Sequence, residues 1–158
     1  MTVPGREWLI VRAGTRVCAL PVADVLETMR PLPVAPLAGA PPGVLGSAVV
    51  RGEALPVIHA GVLIGEERSH TGRFVTLRIA QRRVALAVDA VVGLRRFDVQ
   101  ASSHIPPLLA GALGDAVTAL RVADEDLMLV LDGARLVPPD VWDALDTHHA
   151  RSTHGNAG

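Results

Sequence analysis

No apolar run in this chain extends far before a proline, a glycine or a charged pair stops it. The 158 residues include 12 Pro and 15 Gly, and the runs between them are about the 5–6 residues of an average strand. Helices of a dozen residues, which a parallel sheet needs for its crossovers, are missing. The pattern predicts a mainly β chain of many short antiparallel strands, a barrel or a sandwich.

The expected strands can be placed. Trp8 to Val11 and Arg16 to Leu20 flank Gly14-Thr15 as a hairpin. Val44 to Val50 and Ala54 to His59 flank the turn Arg51-Gly52. Phe74 to Ile79 and Arg83 to Asp89 alternate apolar and polar residues around a turn at Gln81-Arg82. Val91 to Phe97 is a further strand, and Val117 to Val122 with Leu127 to Leu131 make a last hairpin around Ala123 to Asp126. One segment reads as a helix, Pro21 to Arg30. Its Val22, Val25, Leu26 and Met29 fall at i, i+3, i+4 and i+7, Pro21 suits a first helical position, and Pro31 ends it. A short helical turn is expected at Gly61 to Ile64 and another at Val141 to Leu145. Gln100 to Gly114, with two Pro and two Gly, reads as a long irregular connection, and residues 148–158 as a flexible tail.

The stretch Pro31 to Val50 is uncharged, but five prolines and three glycines break the helix that a bilayer would demand. The N-terminal residues carry Arg6, Glu7 and Arg12 and lack the apolar core of a secretory signal. The expected location is cytoplasmic.

Several chemistries are excluded by residues that are not there. All 15 basic residues other than His are Arg, so there is no P-loop lysine, no Schiff-base lysine and no Ser-x-x-Lys nucleophile pair. Cys18 is the only cysteine, which rules out an internal disulfide and any multi-cysteine zinc site. His59, His70 and His104 are isolated. His148, His149 and His154 lie in the expected tail, and Asp124, Glu125 and Asp126 read as a solvated hairpin tip without EF-hand spacing. A formal charge of −1 and the lack of Tyr count against a nucleic-acid-binding barrel, the less favoured alternative. A small hydrolase or metal enzyme is disfavoured on the same residue inventory. The expectation is a binding module with no catalytic residues, no cofactor and no metal.

Several segments together carry a resemblance. They are Ala19-Leu20-Pro21-Val22-Ala23-Asp24-Val25-Leu26-Glu27, then Pro36-Leu37-Ala38-Gly39-Ala40-Pro41-Pro42-Gly43-Val44-Leu45-Gly46, then Arg51-Gly52-Glu53-Ala54-Leu55-Pro56-Val57-Ile58, with Arg83 to Gly93 and Leu120 to Leu136 further on. This series resembles the CheW family of chemotaxis adaptors over roughly residues 6–137. The resemblance implies two intertwined five-stranded β-barrels of the SH3-like kind with one short helix, in a single domain over 5–137. Residues 5–65 plus a C-terminal part would form the first barrel and 70–131 the second, followed by a helical turn at 138–147. It implies a non-catalytic adaptor bridging the cytoplasmic helical tip of a chemoreceptor and the regulatory domain of a CheA-type histidine kinase. By the same resemblance the receptor-binding groove includes Val25, Glu27, Val34, Gly46 and Arg51, with Glu27 and Arg51 expected to pair. The kinase contact is expected on an apolar patch within 70–130. Two departures stand out: Val49 where the family commonly has Asn, and His59 where it has Asp. They keep open a diverged scaffold serving pilus motility or another non-flagellar output.

Overall fold

The computed structural model describes residues 5–67, 70–98, 117–123, 126–137, 139, 142, 143 and 146. Ten strands run in chain order: β1 (Arg6–Ala13), β2 (Arg16–Pro21), β3 (Val25–Met29), β4 (Val44–Val50), β5 (Glu53–His59), β6 (Arg73–Ile79), β7 (Arg82–Val88), β8 (Ala90–Phe97), β9 (Val117–Ala123) and β10 (Asp126–Leu131). Among the described residues two four-residue helices can be bounded, α1 (Ala60–Leu63) after β5 and α2 (Gly133–Leu136) after β10.

The strands form two five-stranded sheets. The first has the order β8-β1-β2-β10-β9 and the second β3-β6-β7-β5-β4. Neighbours are antiparallel except for one parallel pair in each sheet, β2 with β10 and β5 with β7. Two five-stranded β units are what the resemblance implied; among the described pairings neither sheet is closed by a hydrogen-bonded pair between its outer strands. The sheets also divide the chain at other places than residues 65 and 70. β3, β4 and β5 pair with β6 and β7, whereas β8 to β10 return to the N-terminal hairpin.

Strand alternation gives each sheet two apolar faces. Leu9, Val11, Cys18, Leu20 and Leu129 of the first sheet meet Ile58, Val75, Leu77, Val84 and Leu86 of the second in one large shared core. On the far face of the first sheet, Trp8, Ile10, Ala19, Phe97, Met128 and Val130 make a small core of their own. The far face of the second sheet does the same with Ala48, Val57, Phe74, Ala85 and Ala87, covered by Leu32 and Val34 of the proline-rich segment. Fully burying one such large side chain contributes roughly 1.5–3 kcal/mol, and three separate cores account for how densely apolar these short strands are. Cys18 lies in the shared core at 0% exposure, and burial pushes its thiol up to about 12. At neutral pH it is a small apolar side chain rather than a nucleophile.

Polar ties join the sheets at one end. The Gly14 amide donates to Asp89 Oδ1 at 3.0 Å, the Asp89 amide donates to the Arg12 carbonyl at 2.8 Å, and Thr15 Oγ1 donates to Glu66 Oε1 at 2.6 Å.

Pro21 to Arg30 is not a helix. A single 3-10 turn at Val22–Asp24 leads directly into β3, which pairs with β6 from Val25↔Leu77 to Met29↔Phe74. The helical spacing of Val22, Val25, Leu26 and Met29 arises because a register shift between Val25 and Glu27 interrupts the two-residue period of the strand. Val22 and Val25 then reach the shared core, Met29 reaches the core of the second sheet, and Leu26 is left 44% exposed. The expected turn at Gln81-Arg82 also moves by one residue: Ile79 pairs with Arg82, so Ala80 and Gln81 make the turn. The short turn expected at Gly61 to Ile64 is α1, one residue earlier. The connection Gln100 to Gly114 and the tail 148–158 lie outside the described residues, as does most of Val141 to Leu145.

Candidate functional site

The turn between β4 and β5 places a long cation in an unusual backbone conformation. Val50 pairs with Glu53, leaving Arg51 and Gly52 as a two-residue loop, and both have positive φ, 51° and 80°. This is the type I′ pattern, which favours Asn, Asp or Gly at its first position. Arg occupies that position here, in a left-handed conformation that non-glycine residues seldom adopt and that Ala80 shares in the turn between β6 and β7.

The Arg51 side chain reaches across to β3. Arg51 Nε donates to both carboxylate oxygens of Glu27, at 2.9 and 3.1 Å, and Nη2 donates to Oε2 at 2.8 Å. Glu27 lies on β3 and Arg51 beside β4, the two outer strands of the second sheet. The sheet is therefore rolled until its edges face each other, and side chains rather than backbone bonds span the gap. Within this mouth is a shallow cavity of about 140 Å³ lined by Leu26, Glu27, Val50, Arg51, Glu53, Leu55, Thr76 and Arg83. All five strands or their turns contribute, as the rolled shape requires. A second ion pair, Arg83 Nη1 to Glu53 Oε2 at 3.3 Å, lies on the same rim.

The fork-like contact with Arg51 holds the Glu27 carboxyl below its ordinary 4.5, and the Arg51 guanidinium is correspondingly more firmly protonated. The folded-state value of Glu27 is the lower one, so the pair favours folding above the ordinary carboxylate range. That contribution is lost as pH falls through the lowered value. In an NMR acid titration, the Glu27 carboxyl carbon is expected to titrate below the solvent-exposed glutamates; a midpoint at 4.5 or above contradicts the pair.

Five residues were expected to form one groove, and the structure brings two of them together. Glu27 and Arg51 form the pair and line the cavity. Val25 packs against the shared core, and Val34 covers the core of the second sheet. Gly46 sits against the backbone of Ala35, which exchanges both of its hydrogen bonds with Ser47, at 2.8 and 2.9 Å. The lining residues that sequence reasoning did not name are Leu26, Val50, Glu53, Leu55, Thr76 and Arg83. Thr76 carried a usable signal, a lone hydroxyl in the run Phe74-Val75-Thr76-Leu77. Both departures from the family pattern can be placed as well. His59 caps α1, its Nδ1 accepting from the Val62 amide at 3.2 Å, so the cap survives without Asp. Val49 is 67% exposed on β4.

A protein-family model described as the CheW-like domain matches residues 7–139. The chain belongs to that family. Members of the CheW family act in general as non-catalytic scaffolds in chemotaxis signalling. Among solved structures, the scaffolding protein TtCheW from Thermoanaerobacter tengcongensis is similar, with a TM-score of 0.71 over 82% of this chain and 90% of that chain. The two are 19% identical, so the likeness establishes the CheW-like fold and nothing finer. No curated protein matches the chain. Among the described residues of this CheW-like domain, no helix is long and apolar enough to cross a membrane.

Proposed function

We propose that this CheW-like domain is a cytoplasmic adaptor that joins the helical tip of a chemoreceptor to the regulatory domain of a CheA-type histidine kinase. The receptor side is the mouth of the second sheet, and the observation that carries this reading is the exposed Glu27–Arg51 pair on its strained turn. The side chain of Arg51 is 77% exposed. An arginine fork held by one carboxylate at the surface is prepared to take another, because guanidinium and carboxylate match in a planar, two-bond geometry. Leu26 beside it is 44% exposed and supplies apolar area for the face of a docking helix. In this reading Arg51 exchanges Glu27 for an acidic residue of the receptor, and Glu27 keeps the fork oriented in the free protein. No cofactor takes part.

The test is co-purification with a receptor fragment and a CheA-type kinase. Arg51→Glu places two carboxylates opposite each other and is expected to lower receptor capture at least about tenfold, since like charges brought together at an interface cost several kcal/mol. Arg51→Asn suits the type I′ turn and leaves the fold intact, so it separates loss of the cation from loss of the turn. Receptor capture by Arg51→Glu at the wild-type level removes Arg51 from the site. Wild-type protein that captures neither partner removes the adaptor reading.

A further inference from the structure

The Glu27–Arg51 pair stands beside an irregularity in the main-chain ladder. At the register shift between Val25 and Glu27 the regular exchange of backbone bonds between β3 and β6 is interrupted. Thr76, directly opposite Glu27, fills the gap with its side chain. Its Oγ1 accepts from the Glu27 amide at 3.2 Å and donates to the Glu27 carbonyl at 3.3 Å. One hydroxyl thus satisfies both main-chain groups of the residue that carries the carboxylate. Thr76 is 2% exposed, and it and His59 are the buried polar residues among those described. A hydroxyl in a strand interior whose neighbours are Val75 and Leu77 costs stability unless it is bonded, and here both of its bonds go to one residue of the site.

We infer that Thr76 is the positioning residue of the site: its hydroxyl fixes where β3 presents Glu27, and through Glu27 it orients Arg51. The chain of contacts runs from β6 to the edge strand β3, then across the mouth to the β4–β5 turn. Nothing in it depends on packing volume, since valine fills the same space as threonine. This assignment deepens the adaptor reading and rests on it for its purpose, but its test needs no partner.

The test is NMR of the full chain, following the Glu27 amide and the Arg51 Nε–H group. In the wild type the Glu27 amide is expected to be protected from hydrogen exchange. The Arg51 Nε proton is expected to exchange slowly, as a proton held by a carboxylate does. In Thr76→Val its exchange is expected to accelerate roughly five- to tenfold, the factor carried by about one hydrogen bond, while the remaining amides keep their shifts. Thr76→Ser restores the hydroxyl and is expected to return the wild-type rate. Two results overturn the assignment: a wild-type Glu27 amide that exchanges as an open chain does, or a folded Thr76→Val with the Arg51 proton still at the wild-type rate. The first needs no variant and decides the matter even where Thr76→Val fails to fold. A receptor that ignores the wild-type protein would instead sink the adaptor reading and leave these rates unchanged.

Discussion

Replacing Gly46 by alanine is expected to lower stability by about 3 kcal/mol, the sum of a strained backbone position and about two hydrogen bonds. A Cβ at Gly46 would lie 2.1 Å from the Ala35 carbonyl oxygen, 2.8 Å from its carbon and 3.0 Å from Pro36 Cα. These are backbone atoms, so no flexible side chain can turn aside. The φ of 145° is itself a region that glycine occupies and alanine avoids. Relief requires the proline-rich segment to lift from β4, which breaks the paired bonds between Ala35 and Ser47. It also uncovers the core of the second sheet under Leu32 and Val34. Gly39→Ala is the control: its φ is 73° but nothing lies within 4 Å, so it should show only the backbone part, about 1 kcal/mol. Urea unfolding of both variants decides it, and equal losses would mean that the contact with Ala35 is not what requires the glycine.

Trp8→Ala is expected to be costlier still, by about 4 kcal/mol, in the range of large aromatic truncations in cores. Trp8 is 2% exposed and stacks on Phe97 with ring centroids 5.1 Å apart and planes 6° from parallel. Its Nε1–H donates to the Phe97 carbonyl at 3.2 Å. The far core of the first sheet contains few other large side chains, chiefly Ile10, Met128 and Val130, so little can move in to fill the space. Trp8→Phe keeps a ring against Phe97 and loses the indole donor and some volume; about 1–2 kcal/mol is expected. A Trp8→Ala variant unfolding at nearly the wild-type urea concentration would show that the shared core alone sustains the first sheet.

How much of this was legible beforehand depended on whether a segment was regular. The alternation in β6 and β7 is strict, and Val75, Leu77, Val84, Leu86 and Val88 point into the shared core as their two-residue period requires. What alternation hid was the other face. Phe74, Ala85 and Ala87 face a second core, and nothing in a local pattern says that a proline-rich loop will cover it. β3 was misread because its bulge produces a helical spacing by coincidence, and pairing with β6 outweighed the local preference. The site divides in the same way. Glu27 and Arg51 came from the family resemblance, and the structure adds their geometry. Thr76 is 49 residues from Glu27 in sequence, and no periodicity links them. Gly46 carried a groove expectation because the motif contains it, whereas the close approach of Ala35 already explains a glycine there.

The order in which strands leave the ribosome matters for a molecule wound in this way. The second sheet is drawn wholly from residues 25–88, so every strand it needs has emerged once Val88 is clear of the exit tunnel. The first sheet begins earlier but waits longer. β2 gains its parallel neighbour β10 only after Leu131 has been made, so the N-terminal hairpin spends much of translation with one edge bare. Nascent chains halted once Val88 has cleared the tunnel should therefore hold one finished sheet beside a two-stranded fragment. That fragment is the part of the molecule most exposed to chaperones and to premature pairing with a neighbouring copy.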